Sequence, residues 1–470
     1  MDSDRLTSQL STWSAGSGPL YRQLADAISA LVANGDLRDA ELLPPERHLA
    51  AALSTSRSTI VAAYDLLRER GVVERRQGSG TRVVGPQLAT SVGQDFKTAP
   101  LFVPGAEIAT LLKAIPDALP DLGVMLPADA NVYDVVDPEG LVGLRVAIAD
   151  RYSRQGLPTT PDSIVVTHGA QQAISLVLSA LCGPGDVVLV EECTWPGLAD
   201  VVARQGGRCF GVRMDDGGID TTELRAAVER LRPVAIALNP HHHNPTATRL
   251  LPHRRREVAD IAADFGVTVI EDRVAATLAF DGVVPLPIAE HRRDAPTATV
   301  ESLSKTIWPG LRIGWLRAAP DLVRQVRMAK AIDDQFCSIP SQYLAIGLLE
   351  RADELIARRV DQLHRRALVA HDTIRRVLPD WDVTMPDGGL VLWPKLPTPS
   401  ALALIQHAAR SGILIAGAEA FSVIAPANDR IRIPFTAPED ELVAAIERLA
   451  DCWNSLDPTA VAVDPVGALV

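Results

Sequence analysis

Lys305 lies in the run Ser302-Leu303-Ser304-Lys305-Thr306-Ile307-Trp308-Pro309-Gly310-Leu311-Arg312, whose residue types can do covalent chemistry. A lysine attacks an aldehyde only after its amine has shed a proton, and burial lowers the pKa toward the range where that happens. The small hydroxyl residues Ser302 and Ser304 leave room beside it and can bond a phosphate. Arg312, seven residues on, offers a rigid fork of donors to the same anion. The pattern predicts a lysine that carries a phosphate-bearing aldehyde cofactor as a Schiff base. A Ser-x-Ser-Lys string also surrounds many solvated surface lysines, so the weight falls on whether the cofactor's other partners follow in order.

Ile164-Val165-Val166-Thr167 reads as a short buried strand, followed by Gly169-Ala170-Gln171 and then a helical apolar period at Ile174, Val177, Leu178 and Leu181. A strand, a glycine turn and a helix N-terminus make an anion site from backbone N–H groups, so Gly169, Ala170 and Gln171 are candidates for the phosphate. A second strand, Val187 to Glu191, leads to Trp195, a flat ring that could stack on an aromatic cofactor or simply join the core. A third, Val234 to Leu238, runs into Asn239-Pro240-His241-His242-His243-Asn244-Pro245-Thr246, and a fourth, Val267 to Ile270, ends in Glu271-Asp272. The three histidines do not form a metal site: consecutive side chains cannot all face one ion, and no Cys or acidic cluster is spaced to complete a set. Arg430-Ile431-Arg432-Ile433-Pro434-Phe435 closes the series.

In this order, from Ile164 to Phe435, the motifs resemble those of fold-type-I pyridoxal 5'-phosphate (PLP) enzymes in their aminotransferase form, over about residues 140–455. The resemblance implies a large α/β PLP-dependent transferase fold. It implies that Lys305 forms the Schiff base, Asn244 bonds the phenolic oxygen, and Asp272 faces the pyridine nitrogen and keeps it protonated, which makes the ring an electron sink. Arg432 is matched to the arginine that takes a substrate carboxylate. Ala247 stands where the family's Asn-Pro-Thr turn usually has glycine.

The first 85 residues carry a second pattern. Leu20, Leu24, Ile28, Leu31 and Val32 form a helical stripe; Leu43-Pro44-Pro45-Glu46-Arg47-His48-Leu49-Ala50 opens a short helix behind two prolines; Ser54-Thr55-Ser56-Arg57-Ser58-Thr59-Ile60 opens a third helix reaching about Arg70. Val72-Val73-Glu74 and Thr81-Arg82-Val83-Val84 read as strands joined through Arg75-Arg76-Gln77-Gly78-Ser79-Gly80, a tight tip whose backbone can approach DNA. Arg47, Arg57, Ser58, Thr59, Gly78 and Ser79 are the candidate DNA contacts, because one arginine and several hydroxyls on a helix N-terminus suit phosphates and base edges. This α+β layout resembles the GntR-family winged helix-turn-helix, with Pro45 where that family usually has Ser.

Composition sets limits. The 470 residues carry 46 basic and 58 acidic side chains, net −12, and are 47% hydrophobic, enough for more than one core. Residues 1–85 hold ten arginines, no lysine and ten carboxylates, so no long-range positive field steers the chain to DNA. The local arginines, Arg75 and Arg76 among them, must do that work. Cysteines 182, 193, 209, 337 and 452 have no framework spacing and read as reduced, buried thiols of a cytoplasmic protein. No signal peptide and no membrane span are expected. The expected division is a DNA-binding domain at 1–85, a linker at 86–115, the PLP-binding domain at 116–456 and a loosely held tail at 457–470.

The fused layout resembles the MocR subfamily of bacterial transcription regulators. That resemblance implies a double-stranded DNA operator, a head-to-tail, domain-swapped homodimer with the cofactor at the subunit interface, and an effector that is PLP or a small amine or amino acid joined to it. A working aminotransferase carrying a DNA head is the alternative. A DNA-binder that has lost its cofactor is a third, opposed by the pairing of Lys305 with Asp272. Two departures separate the first two readings. Val274 replaces the tyrosine that commonly follows the pyridine-facing Asp, and Val135, with Tyr133 nearby, stands where a second tyrosine usually precedes the glycine matched by Gly140. Both put efficient transamination in doubt while leaving the Schiff base intact.

Overall fold

The computed structural model describes residues 10, 19–33, 37, 41–53, 55–69, 72–76, 80–83, 137–398, 401–424 and 428–456. It divides into two compact units, Met1–Phe96 and Lys97–Val470. The expected linker at 86–115 and tail at 457–470 lie outside the described residues, as do Val135 and Tyr133.

In the first unit, helices α1 (Leu20–Ala33), α2 (Glu46–Ala52) and α3 (Arg57–Glu69) precede an antiparallel pair, β1 (Val73–Arg76) and β2 (Gly80–Val83). The stripe of α1 buries Leu24 and Ile28 against Leu49, Ile60, Leu67, Val73 and Val83. Pro45, at φ −53°, is the residue before α2, where a missing N–H costs nothing. Ser56 stops α3 from starting earlier: its Oγ accepts the Thr59 N–H at 3.1 Å, capping the helix at Arg57 rather than at the expected Ser54. The Tyr64 hydroxyl donates to the Pro44 carbonyl at 2.8 Å and pins α3 to the entry of α2. Residues 77–79, which include Gly78 and Ser79, are outside the described residues.

The second unit is built on seven strands: β3 (Ile164–Thr167), β4 (Val187–Glu191), β5 (Arg208–Val212), β6 (Ala235–Leu238), β7 (Thr268–Asp272), β8 (Thr297–Ser302) and β9 (Gly314–Ala318). They lie in the order β3-β9-β8-β7-β6-β4-β5. Only β9 runs against its neighbours. The strands read as unbroken apolar runs because both faces are covered. One face packs Val165, Val190 and Ile270 against Ile174 and Val177 of the helix Ala170–Leu181; the other packs Leu189 and Ile236 against Val258 and Ile261. With β3, β4, β6, β7 and β8 all parallel, their C-terminal ends share one rim of the sheet, where such folds place their ligands.

A C-terminal subdomain packs the helices Ala352–Val377 and Glu439–Asn454 on a three-stranded antiparallel sheet, β10 (Val391–Leu392), β11 (Ala416–Gly417) and β12 (Ile431–Pro434), with β12 in the middle. All five cysteines are free; Cys182, Cys337 and Cys452 are buried, whereas Cys193 and Cys209 are half-buried, less enclosed than expected. No helix among the described residues is long and apolar enough to cross a membrane.

Candidate functional site

The sheet's rim supplies Asp272 at the end of β7 and Lys305 three residues beyond β8. Burial pushes the Asp272 carboxyl up to about 6, opposed by the Val274 N–H that donates to its Oδ1 at 3.0 Å and by the charge of Lys305. Burial is also the main cause that lowers Lys305 to about 8, followed by the positive charge of Arg432. Part of each residue remains accessible, but the charged ends are poorly solvated. Arg432 reaches the same pocket from β12, the middle strand of its sheet, with its guanidinium 5.7 Å from the Phe421 ring centroid and its own pKa lowered to about 10 by burial. Two cations crowded into one poorly hydrated pocket favour an anion that shares it. Lys305 attacks only as the neutral amine, so capture of an aldehyde is expected to rise with pH and level off above about 8. Stopped-flow absorbance across pH 6 to 9, with a rate falling about tenfold per unit on the acid side, checks this.

Arg312 and Gly169 form the second part of the site. Arg312, at φ 54°, donates to the His168 carbonyl at 2.6 Å. Gly169, at φ 89°, caps the helix Ala170–Leu181, whose first N–H groups have no side-chain cap. A Cβ on Gly314 would fall 2.7 Å from the Gly169 backbone, so that position needs glycine for this approach, whereas at Gly169 it is the φ of 89° that favours glycine, a Cβ there standing at contact distance, 3.4 Å, from the Arg312 guanidinium. The Ser302 hydroxyl is 3.0 Å from the Ile313 carbonyl and accepts the Ser304 N–H at 3.1 Å, which shapes the turn before Lys305. Gln171 is exposed. Its neighbour Gln172 is the one tied in, accepting the His168 N–H at 2.8 Å and donating to Asp334 at 2.8 Å. Trp195 precedes its helix with the indole folded over Gly197 and against the sheet core.

Asn244 has its side-chain oxygen buried without a partner. Behind it, the three histidines part company. His241 is enclosed by Arg255, Arg273 and Glu271; His242, at φ 48°, packs on Gly388 and Gly389; His243 bonds Thr246 at 2.8 Å and approaches Glu191 at 3.3 Å. His168, Asp334 and Cys337 also converge, but Lys330 holds both Asp334 oxygens at 2.5 and 2.7 Å and already supplies the cation there.

The Lys305 amine, the carboxylate of Asp272, the amide of Asn244, which can donate through Nδ2, and the Gly169–Arg312 cradle fit pyridoxal phosphate, which carries an aldehyde, a basic ring nitrogen, a phenolic oxygen and a phosphate. Glu191, Asn239 and Gln172 hold these groups from behind and went unnoticed as such in the sequence, where they are ordinary strand-end or helix residues.

In the first unit, Arg47, Arg57 and Ser58 are exposed at the starts of α2 and α3, and Thr59 is half-buried. The Arg57 guanidinium, more than half exposed, rests 3.5 Å from Glu46, a weak tie that a phosphate can replace. If Arg57 contacts a phosphate, Arg57→Ala is expected to weaken all DNA sequences alike and cut the salt slope by about one unit; if it reads a base, about 1–3 kcal/mol of discrimination is lost instead. Titrations of operator and random DNA at several salt concentrations separate the two, and unchanged binding in both would place recognition on another helix.

The fold and site define a PLP-type aminotransferase domain joined to a winged DNA-binding head. Residues 107–449 match the model "Aminotransferase class I and II", and the chain belongs to that family; residues 20–83 match "Bacterial regulatory proteins, gntR family". This is the architecture of the MocR-type regulators. The chain is 29% identical over 421 residues to the uncharacterized HTH-type transcriptional regulator YdcR of Escherichia coli, covering 82% of this chain and 90% of the relative. It is 29% identical to the HTH-type pyridoxine biosynthesis transcriptional regulator PdxR of Corynebacterium glutamicum over 78% of this chain and 81% of that protein. Among solved structures, N-succinyldiaminopimelate aminotransferase from Mycobacterium tuberculosis superposes with a TM-score of 0.67 at 25% identity, over 77% of this chain and 96% of that one.

Proposed function

We propose that the protein is a PLP-responsive transcription regulator that binds a double-stranded DNA operator through its winged head and senses PLP, or PLP joined to a small amine or amino acid, through the aminotransferase-like domain. The observation that carries this is Lys305, with its amine lowered to about 8 in a pocket shared with Asp272 and Arg432, in a chain whose first unit is a winged helix-turn-helix. Lys305 holds the cofactor covalently, Asp272 keeps the ring nitrogen protonated, and Asn244 donates to the phenolic oxygen. Gly169, Ala170, Gln171, Ser302, Ser304 and Arg312 hold the phosphate, and Trp195 covers the ring. Bound there, PLP supplies a carbonyl onto which amines exchange and a protonated ring that draws electrons. Arg432 takes a carboxylate, which makes an amino acid a fitting effector.

The relative named for pyridoxine biosynthesis supports a PLP-linked output. A head-to-tail homodimer in the cytoplasm, with the DNA-binding domain at 1–85, completes the reading: a ligand with different affinity for two dimer states shifts the population, and the DNA heads follow. The test is operator affinity of the full-length protein, apo, PLP-loaded and PLP-loaded with an amino acid, beside Lys305→Ala. A change in affinity of about fivefold or more that is absent from the variant is expected. Equal affinities in every state would overturn the reading.

A further inference from the structure

Asn239 is the first residue after β6, the strand lying between β4 and β7 in the sheet. Each of three polar groups on it has a separate partner. Its backbone N–H donates to Oε2 of Glu191 at the end of β4, at 2.8 Å. Its amide Nδ2 donates to the backbone carbonyl of Asp272 at the end of β7, at 3.3 Å. Its Oδ1 accepts the backbone N–H of Asn244 at 3.0 Å. The turn carrying Asn244 otherwise closes largely on itself, through Ala247 N–H to His243 O at 2.7 Å and His243 N–H to Thr248 O at 2.9 Å. Other side-chain ties from this turn to the sheet's rim are His243 approaching Glu191 at 3.3 Å and His241 meeting Glu271 at 3.1 Å, but neither reaches the Asp272 backbone. One side chain therefore connects the backbone that aims Asn244 to the backbone that aims Asp272.

We propose that Asn239 is a positioning residue that fixes Asn244 against Asp272, so that the group meeting the cofactor's phenolic oxygen and the group meeting its ring nitrogen stand at a set separation. The inference rests on the PLP reading above. A planar ring presents its oxygen and nitrogen at a fixed distance, and two turns on neighbouring strands would hold that distance only loosely without a direct tie. The charged and titratable groups around this tie are Glu191, His243, Asp272 and Lys305, with Arg432 beyond Lys305. Asn239 carries no charge, so replacing it by an apolar residue of similar size changes placement without adding or removing a titrating group.

The experiment is a double-mutant cycle on the full-length, PLP-loaded protein, read by the pH midpoint of its visible spectrum and by PLP affinity. A donor to the phenolic oxygen favours the form in which negative charge gathers there, so losing it raises the midpoint. Asn244→Ala is expected to raise it by about one pH unit, the size of one hydrogen bond to a charged oxygen. Asn239→Leu is expected to raise it in the same direction by at least half as much, and to weaken PLP binding several-fold, on the scale of a lost hydrogen bond. In the Asn244→Ala background, Asn239→Leu is expected to shift the midpoint no further, because its effect runs through Asn244. Melting curves of the apo proteins check folding; should Asn239→Leu fail to fold, Asn239→Ala, which removes both side-chain bonds without adding a charge, is read in the same cycle. An unshifted midpoint, or shifts that simply add, overturns the inference and leaves Asn239 a structural residue. A wild-type protein that develops no Lys305-dependent band would instead overturn the PLP reading itself.

Discussion

Lys305→Ala is expected to abolish the visible band that the wild-type protein develops on mixing with PLP. The band requires a covalent bond to an amine with an appreciable neutral fraction near physiological pH, and Lys305, at about 8, has one. Lys330, although fully buried, is no substitute: its Nζ is held by both oxygens of Asp334, at 2.5 and 2.7 Å. Lys395 lies beside Asp429 with half its side chain exposed. Without the covalent bond, the variant keeps the Gly169–Arg312 cradle and Asp272, so PLP should bind reversibly and wash out on dialysis. Loss of affinity of at least about tenfold is expected, which is 1.4 kcal/mol. Loading wild-type protein to a hundredfold excess over its dissociation constant should stabilise it by about 2.7 kcal/mol, and the variant by less at the same PLP concentration. Absorbance after dialysis and thermal melts with and without PLP measure both effects. An alanine variant that retained the same band would remove Lys305 from the site.

Much of this was legible because of how parallel sheets are built. Strands buried on both faces show up as short apolar runs, and the polar residue that ends each run falls at the rim where ligands bind. Thr167, Glu191, Asp272 and Ser302 all end such runs. Arg312 and Gly169 were legible separately, but their contact across β9 is a matter of sheet order, which no local pattern records. The turn after β6 was least readable. Side chains there follow no period, so the sequence His241-His242-His243 could not show that the first ring enters an arginine–glutamate network, the second packs on a glycine pair and the third bonds Thr246. Nor does the sequence show that Gln172 braces the His168 backbone while the adjacent Gln171 stays exposed. In the head, prolines and the helical stripe carry the helices in the sequence itself, and the start of the third moved from Ser54 to Arg57 because Ser56, one of several hydroxyls in that run, is the one that caps it.

Amino acids are expected to change the spectrum of the loaded protein once and then stop, without sustained conversion of a keto acid. The reason lies at Val274. Its backbone N–H braces Asp272 at 3.0 Å, so the carboxylate is in place, but its side chain offers no hydroxyl to the phenolic oxygen, which under the proposed function leaves that contact to Asn244. Holding an amine requires Lys305 to yield its bond and Arg432 to receive a carboxylate, and both groups are present. Completing transamination asks more of Lys305: once freed, it must carry a proton between two carbon atoms while the ring stays fixed, and lost positioning costs rate steeply even when binding survives. Val274→Tyr is the complementary change. If the missing hydroxyl is what limits turnover, the variant should gain keto-acid production over wild type by about tenfold or more, in the range expected for a positioned polar group. The measurement is product formation by the loaded protein with a panel of amino acids and one keto acid, followed beside the spectrum and operator affinity. Wild-type turnover at about 1 per second or faster, the ordinary enzyme range, would make the large domain a working aminotransferase that carries a DNA-binding head. A single spectral change that alters operator affinity and does not cycle assigns it to sensing.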